Sequence, residues 1–140
     1  MKFIKENLMQ IALLLAIVST IGSLYFSEIL KLTPCLLCWY QRICMYPLVI
    51  IIAVGIWKKD KNLPYFVLPF SIAGLIISAY HNLLYYNIIP ESIEPCTLGI
   101  SCTTRQLEWF GFITIPLMSL GTFALITFLT LLYKKQSAVK

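Results

Sequence analysis

Four long apolar stretches, separated by short polar segments, dominate the pattern of hydrophobic and polar positions along the 140-residue chain. They cover residues 8–30, 36–57, 64–89 and 109–133. A helix rises about 1.5 Å per residue, so each stretch is long enough to cross the roughly 30 Å of hydrocarbon in a bilayer. The pattern predicts an all-α membrane protein, a bundle of four transmembrane helices that forms a single membrane domain over residues 1–140.

The composition excludes an ordinary water-soluble fold. Hydrophobic residues make up 59% of the chain and charged residues only 12%, whereas soluble domains carry about 25% charged residues. Lys2 and Lys5 precede the first apolar stretch, as in a secretion signal. That stretch is longer than the apolar run of a signal, which is about 7–15 residues. We therefore expect it to be retained as the first span.

Basic residues flank the four spans unevenly. The N-terminal tail, the loop 58–63 and the C-terminal tail carry eight of the eleven, namely Lys2, Lys5, Lys58, Lys59, Lys61, Lys134, Lys135 and Lys140. Because Lys and Arg are enriched in cytoplasmic loops, we expect both termini in the cytoplasm and the other two loops outside. This topology accounts for the net charge of +5 and requires no nucleic-acid partner.

A first cysteine pair, Cys35 and Cys38, lies at the outer start of the second span. Thr33 is a candidate cap and Pro34 suits a first helical turn, so both thiols would lie near a helix N-terminus. That position favours the thiolate form, and Arg42 would follow Cys38 on the same helical face. The pattern favours redox chemistry. A structural disulfide, half of a metal site, or an arginine that only reaches toward the interface remain alternatives.

A second pair, Cys96 and Cys102, lies in the loop between the last two spans, where Pro90, Pro95 and Gly99 disfavour a regular helix. Both pairs would then lie in redox loops on the outer face, where disulfides persist. A disulfide that closes so small a ring stabilises the fold by only about 2 kcal/mol. A short, accessible disulfide is a good target for an incoming thiolate. A structural staple remains the alternative.

The third span carries His81, the only histidine in the chain. With Arg42 it would flank one site about 10 Å below the membrane surface. Ionisable groups at that depth are costly and usually functional. Tyr85 on the same face would complete a polar and aromatic niche suited to a quinone ring. A histidine hydrogen-bonded between helices is the alternative. Cys44, deeper in the second span, is expected to be an inert apolar filler.

Two segments resemble one known family. Pro34-Cys-Leu-Leu-Cys-Trp-Tyr-Gln-Arg42 is similar to the signature of the DsbB family of disulfide bond formation proteins. Cys102-Thr-Thr-Arg-Gln-Leu-Glu-Trp-Phe-Gly111, followed by Pro116, resembles the family's segment after its last active cysteine. The resemblance extends over nearly the whole chain in span number and cysteine placement, and it is greatest to the short BdbC-type branch.

The resemblance implies an enzyme, a quinone-dependent disulfide oxidoreductase of the bacterial plasma membrane. Such a protein reoxidises a DsbA-like thioredoxin-fold partner outside the cytoplasm and passes the electrons to ubiquinone or menaquinone, which supports disulfide formation in secreted proteins. The family has a histidine near its quinone at the position of His81. This chain differs from the better-known members in having only five residues between Cys96 and Cys102.

The resemblance also implies a role for each of the other candidate site residues. Cys96 receives the attack of the partner and forms a mixed disulfide with it. Cys102, released as a thiolate, attacks the Cys35–Cys38 disulfide at Cys35. Cys38 is left as a thiolate beside Arg42 and passes electrons to the quinone.

Two other functions are compatible with the cysteines. One is a reductase that conducts electrons outward, similar to vitamin K epoxide reductases, although no cysteine is expected on the cytoplasmic side to supply it. The other is a thiol-based metal-binding membrane protein. The two pairs contain no histidine of their own and would face an oxidising compartment, so we expect no metal site.

Overall fold

The computed structural model describes residues 2–90, 108–109 and 113–139. Within these ranges the chain forms four long helices, α1 (Lys2–Glu28), α2 (Leu36–Lys58), α3 (Leu63–Tyr85) and α4 (Ile115–Ala138). Each is long and apolar enough to cross a membrane. The predicted all-α bundle of four transmembrane helices is confirmed. Cys96 and Cys102, with the loop that holds them, lie outside the described residues.

The last span begins later than the apolar pattern indicates. The sequence places its start at residue 109, but Trp109 belongs to a two-residue strand, β1 (Glu108–Trp109). This strand pairs antiparallel with β2 (Ile113–Thr114). Thr114 then caps α4, since its hydroxyl accepts a hydrogen bond from the Leu117 amide at 3.4 Å, and Pro116 occupies the first turn. Hydropathy cannot detect this start because the residues on both sides of it are apolar.

The third span ends four residues before the expected residue 89. Tyr86 is the C-cap of α3. Its amide donates to the Asn82 carbonyl, and the Asn87 amide donates to the Leu84 carbonyl, each at 3.0 Å. Asn87 follows with φ of 56°, a left-handed conformation that asparagine tolerates better than most residues and that cannot continue a right-handed helix. The backbone therefore ends α3 within a run that is still apolar.

The helices pack in a ring in which α1 contacts α2 and α4, and α3 contacts the same two helices. The buried core contains small residues as well as large ones, and it includes Met9, Ala12, Ala16, Cys44, Leu48, Ile52, Val67, Phe123 and Ile126. Cys44 thus lies among apolar side chains, as expected of a filler. Polar contacts also join helices, among them those from Ser19 to Thr122 at 3.2 Å and from Asn82 to the Pro116 carbonyl at 2.8 Å.

The contact between α3 and α4 depends on Gly74. A Cβ atom at this position would overlap the ring of Phe123, which is fully buried. Small residues that allow helices to approach closely are the usual basis of packing in membranes, where lipid removes the hydrophobic driving force between helices.

We expect Gly74→Val to destabilise the bundle by about 1–3 kcal/mol, because the Phe123 ring must move out of a packed site. Thermal unfolding in detergent measures this. Gly22→Ala is the matched control, since a Cβ at position 22 has nothing within 4 Å. Adding Phe123→Leu to Gly74→Val should restore part of the loss. Equal unfolding temperatures for Gly74→Val and the unsubstituted protein would contradict this packing.

Candidate active site

The first cysteine pair lies where α2 begins. Cys35 itself is the N-cap residue, in an extended conformation with ψ of 169°, and its carbonyl accepts the first helical bond, from Trp39 at 3.1 Å. The expectation that Thr33 caps this helix is therefore wrong. The chain turns into the helix two residues later, and Pro34 lies before the first turn. Both thiols still lie at the helix N-terminus, as the sequence predicts.

The two thiols of this pair are in direct contact. The Sγ atoms of Cys35 and Cys38 lie 3.0 Å apart, and both residues are free cysteines in this structure. The pKa of the Cys35 thiol is lowered to about 4, mainly because the Cys38 thiol donates a hydrogen bond to its sulfur. Burial opposes this effect, and a contact with His81 adds to it. These contacts therefore favour the thiolate form on Cys35, the residue at the helix terminus.

His81 approaches the pair from α3. Its Nε2 atom lies 3.8 Å from the sulfur of Cys35, and its Nδ1 atom lies 3.2 Å from the amide nitrogen of Gln41. Both side chains are buried. The sequence analysis gave Gln41 no role beyond its place in the motif. The signal that could have identified it is a polar side chain inside an apolar span, one turn beyond Cys38.

Arg42 is anchored to α1. Its Nε atom donates to the Ser23 hydroxyl and a terminal nitrogen donates to the Ser23 carbonyl, each at 2.9 Å. The guanidinium also lies 5.5 Å from the centre of the Trp39 ring, within cation–π range. Among the described residues, no carboxylate pairs with it. This arginine is therefore held between two helices and does not simply extend to the interface, and Ser23 is a contact that the sequence analysis missed.

A cavity of about 520 Å³ lies between α1, α2 and α4. Cys38, Gln41 and Arg42 line it from α2, and most of its remaining wall is apolar. Gly22 and Gly121 line it from α1 and α4, and a Cβ atom on either glycine would meet nothing within 4 Å. These glycines leave open space in the cavity that Cys38 also lines.

The structure places the predicted site residues on two sides of the dithiol. Arg42 and Cys38 border the cavity, whereas His81 does not line it and contacts Cys35 from the α3 side. Sequence analysis expects His81 and Arg42 to flank one site. Both lie close to the cysteine pair, but among different neighbours. Contact between His81 and a quinone stays a prediction.

Cys35, Cys38 and His81 also form the donor set of a possible metal site. Their ligand atoms all lie within 4.8 Å of one another, and no fourth ligand belongs to this group among the described residues. Two thiolates and an imidazole are ligands that zinc prefers. The argument that neither cysteine pair has a histidine is therefore wrong for the first pair. The same three atoms serve equally well as a redox centre with an adjacent proton donor.

Comparison with known proteins identifies the family. The family model for disulfide bond formation protein DsbB matches residues 5–133. Disulfide bond formation protein C of Bacillus subtilis (strain 168) is 44% identical over 123 residues, which are 88% of this chain and 89% of that protein. Probable disulfide formation protein C 2 of Bacillus anthracis is 43% identical over 137 residues, 97% of this chain and 95% of that protein.

A third relative has a different name. The SPbeta prophage-derived disulfide bond formation protein B of Bacillus subtilis (strain 168) is 44% identical over 113 residues, 80% of this chain and 75% of that protein. No solved structure matches the chain. The match to the family model over most of its length, with relatives above 40% identity, shows that the chain belongs to the DsbB family of disulfide bond formation proteins.

Proposed function

We propose that this membrane disulfide oxidoreductase reoxidises a DsbA-like thioredoxin-fold thiol oxidase outside the cytoplasm and passes the electrons to a membrane quinone. The observation that carries the proposal is that Cys38 and Arg42 border one apolar cavity. A thiol that donates electrons and a cation that stabilises a reduced acceptor are thus adjacent, within a membrane-spanning part of the chain.

The charge of Arg42 is available to a ligand. Its bonds to Ser23 use Nε and one terminal nitrogen, and the other terminal nitrogen has no hydrogen bond to a described residue. An intramembrane cation without a carboxylate partner is costly and usually marks a functional site. Its free N–H groups are suited to an oxygen that gains negative charge on reduction.

The cavity suits a quinone in size and polarity. Its volume lies within the range of about 300–1,000 Å³ that is typical of sites for small ligands. The apolar wall suits a ring and an isoprenoid tail, and the polar groups of Cys38, Gln41 and Arg42 are all on one helix. A bound quinone supplies the two-electron acceptor that the dithiol requires.

The four cysteines act in sequence. A thiolate of the partner attacks Cys96, which forms a mixed disulfide and releases Cys102 as a thiolate. Cys102 attacks Cys35, so the Cys35–Cys38 bond breaks and Cys38 becomes the thiolate beside Arg42. The second thiol of the partner then displaces Cys96, and the Cys96 thiolate attacks Cys102, which reforms the Cys96–Cys102 bond and releases Cys35. Each exchange forms one S–S bond and breaks one. The order within the second pair follows the family resemblance, since Cys96 and Cys102 lie outside the described residues.

The two ends of α2 support the proposed sidedness of the protein. This helix begins next to Cys35 and ends at Lys58, with Lys59 as its C-cap. The dithiol and this basic cluster therefore lie at opposite membrane surfaces. Because basic clusters favour the cytoplasm, the termini are cytoplasmic and the dithiol is near the outer surface.

Cys35→Ser, Cys38→Ser, Cys96→Ser and Cys102→Ser should each abolish steady-state oxidation of a reduced thioredoxin-fold partner, because every thiol has its own step. Cys44→Ala is the matched control and should retain activity, since Cys44 packs in the apolar core. Turnover with purified protein and added quinone measures both. Retained activity in any of the first four variants would contradict the relay. A stoichiometric metal that persists in the active protein would favour the metal-binding alternative.

Arg42→Met should raise the KM for quinone with a much smaller effect on the KM for the partner. Loss of a charge-assisted contact worth about 1.5–3 kcal/mol corresponds to roughly 10- to 150-fold. Arg42→Lys keeps the charge and loses the planar fork, so its defect should be milder. Both constants come from steady-state rates with the concentration of one substrate varied at a time.

Gly121→Leu tests the space in the cavity separately from the charge of Arg42. A leucine here fills part of the cavity while Arg42 stays intact, so the KM for quinone should rise again and the KM for the partner should not. An anchoring role for Arg42 alone makes different predictions. Arg42→Met would then reduce accumulation in the membrane, and well-inserted protein would show an unchanged dependence on quinone.

A further inference from the structure

The imidazole of His81 contacts both the buried side-chain amide of Gln41 and the sulfur of Cys35. We propose that Gln41 is a positioning residue, whose amide N–H holds His81 in the Nε2–H tautomer, so that the ring donates to the sulfur of Cys35. His81 is then a catalytic residue that stabilises Cys35 as a thiolate. This inference rests on the proposed function only for the step in which the Cys35 thiolate takes part in reoxidation of the dithiol.

The tautomer follows from the two contacts. A neutral imidazole has one N–H donor and one acceptor nitrogen. The nitrogen of the Gln41 side chain is a donor only, and it lies 3.2 Å from Nδ1, so Nδ1 accepts. The ring proton therefore lies on Nε2, which faces the sulfur of Cys35 at 3.8 Å, a hydrogen-bonding distance for sulfur.

Burial makes this arrangement stable. His81 is 3% exposed and Gln41 is 7% exposed, and both lie in membrane-spanning helices. A polar group away from water needs a partner, and loss of one partner leaves the other unsatisfied. The described residues give His81 only these two hydrogen-bond partners. The histidine therefore has little freedom to adopt its other tautomer.

Among the described residues, few other ionisable groups surround Cys35. Cys38 contacts it from α2, and Tyr80 from α3 packs against the apolar cluster that includes Cys35. Arg42 lines the same cavity as Cys38. The lowered pKa of the Cys35 thiol has Cys38 as its main cause and His81 as a further favourable one.

The thiolate has a defined use when the dithiol is reoxidised. Reoxidation forms one bond between the two sulfurs and passes two electrons to the quinone acceptor. With Cys35 as a thiolate the pair gives up one proton, that of Cys38, and the second proton of the quinol comes from the solvent. Cys35 is the nucleophile of this step because Cys38 is the residue that borders the cavity. Only the thiolate is an effective nucleophile. The Nε2–H group of His81 stabilises Cys35 as a thiolate, and His81 does not line the cavity proposed for the quinone.

The single histidine allows the tautomer to be observed directly. Protein labelled with nitrogen-15 histidine gives one imidazole, and its spectrum distinguishes a protonated Nε2 from a protonated Nδ1. In reduced, full-length protein at neutral pH we expect the Nε2–H form. Gln41→Met, which keeps the side-chain length but cannot donate, should give a mixture. A protonated Nδ1 in the unsubstituted protein, alone or with Nε2, would overturn the proposal.

Alkylation of Cys35 gives a second readout. In a Cys38→Ala background, which removes the coupled thiol, peptide mass spectrometry follows the alkylation of Cys35 against pH. Adding Gln41→Met should raise the midpoint by about 0.5–1 pH unit, as for loss of one hydrogen bond. With His81→Leu already present, Gln41→Met should have no further effect. An equal shift with and without the histidine would overturn the proposal.

Asn82→Leu is the matched control for a buried amide. Asn82 is also 7% exposed and adjoins His81, but its amide donates to the Ser78 and Pro116 carbonyls. Its loss should lower the unfolding temperature and leave the Cys35 midpoint unchanged.

Neither the tautomer measurement nor the alkylation measurement involves quinone or the thioredoxin-fold partner. Loss of quinone reduction with an intact tautomer would contradict the proposed function alone, and a wrong tautomer with intact quinone reduction would contradict this inference alone.

Discussion

A guanidinium group within a membrane needs hydrogen-bond acceptors from the protein, and Ser23 supplies two of them to Arg42. The two bonds of 2.9 Å join the C-terminal half of α1 to the first turns of α2, close to the dithiol. They use a hydroxyl and a backbone carbonyl, and no carboxylate of a described residue neutralises the positive charge. The same interaction therefore orients the arginine, joins two helices and leaves a cation at the cavity next to Cys38.

The two sulfurs of the dithiol have different surroundings. Cys35 faces His81 of α3, which Gln41 of α2 contacts in turn, and Cys38 borders the cavity with Arg42. In the proposed mechanism, control of the thiolate and electron transfer therefore lie on opposite sides of one pair of atoms 3.0 Å apart. A helix N-terminus suits this arrangement, since its unpaired N–H groups favour negative charge on either sulfur.

Much of the fold could be predicted from the sequence because a membrane imposes strong constraints. Long uncharged segments have few alternatives to spanning helices, and the motif around Cys35 and Cys38 identifies the chemistry. The starts of α2 and α4 were harder to predict. They depend on the backbone conformation at Cys35 and on the Thr114 cap, and both lie within sequences that suit a helix almost as well.

The side chains that contact the site residues could not be predicted from the sequence. Which side chain meets Arg42 or His81 depends on the rotation of each helix about its axis, and nearly uniform apolar spans contain little information about that rotation. Ser23 and Gln41 were therefore missed, although both are polar residues within spans. Placing His81 and Arg42 at one site assumed equal depth in the membrane, whereas the packing places them on different sides of the pair.

The most direct test is a single turnover with only the first cysteine pair present. Full-length protein with Cys96→Ser, Cys102→Ser and Cys44→Ala is reduced, freed of reductant and mixed with quinone under anaerobic conditions. Quinol is measured by absorbance and the cysteine state by mass spectrometry. One quinol and one Cys35–Cys38 disulfide per protein is the expected result. A reduced pair that persists in the presence of quinone, or a disulfide that forms without quinol, would show that the electrons of this pair do not pass to a quinone.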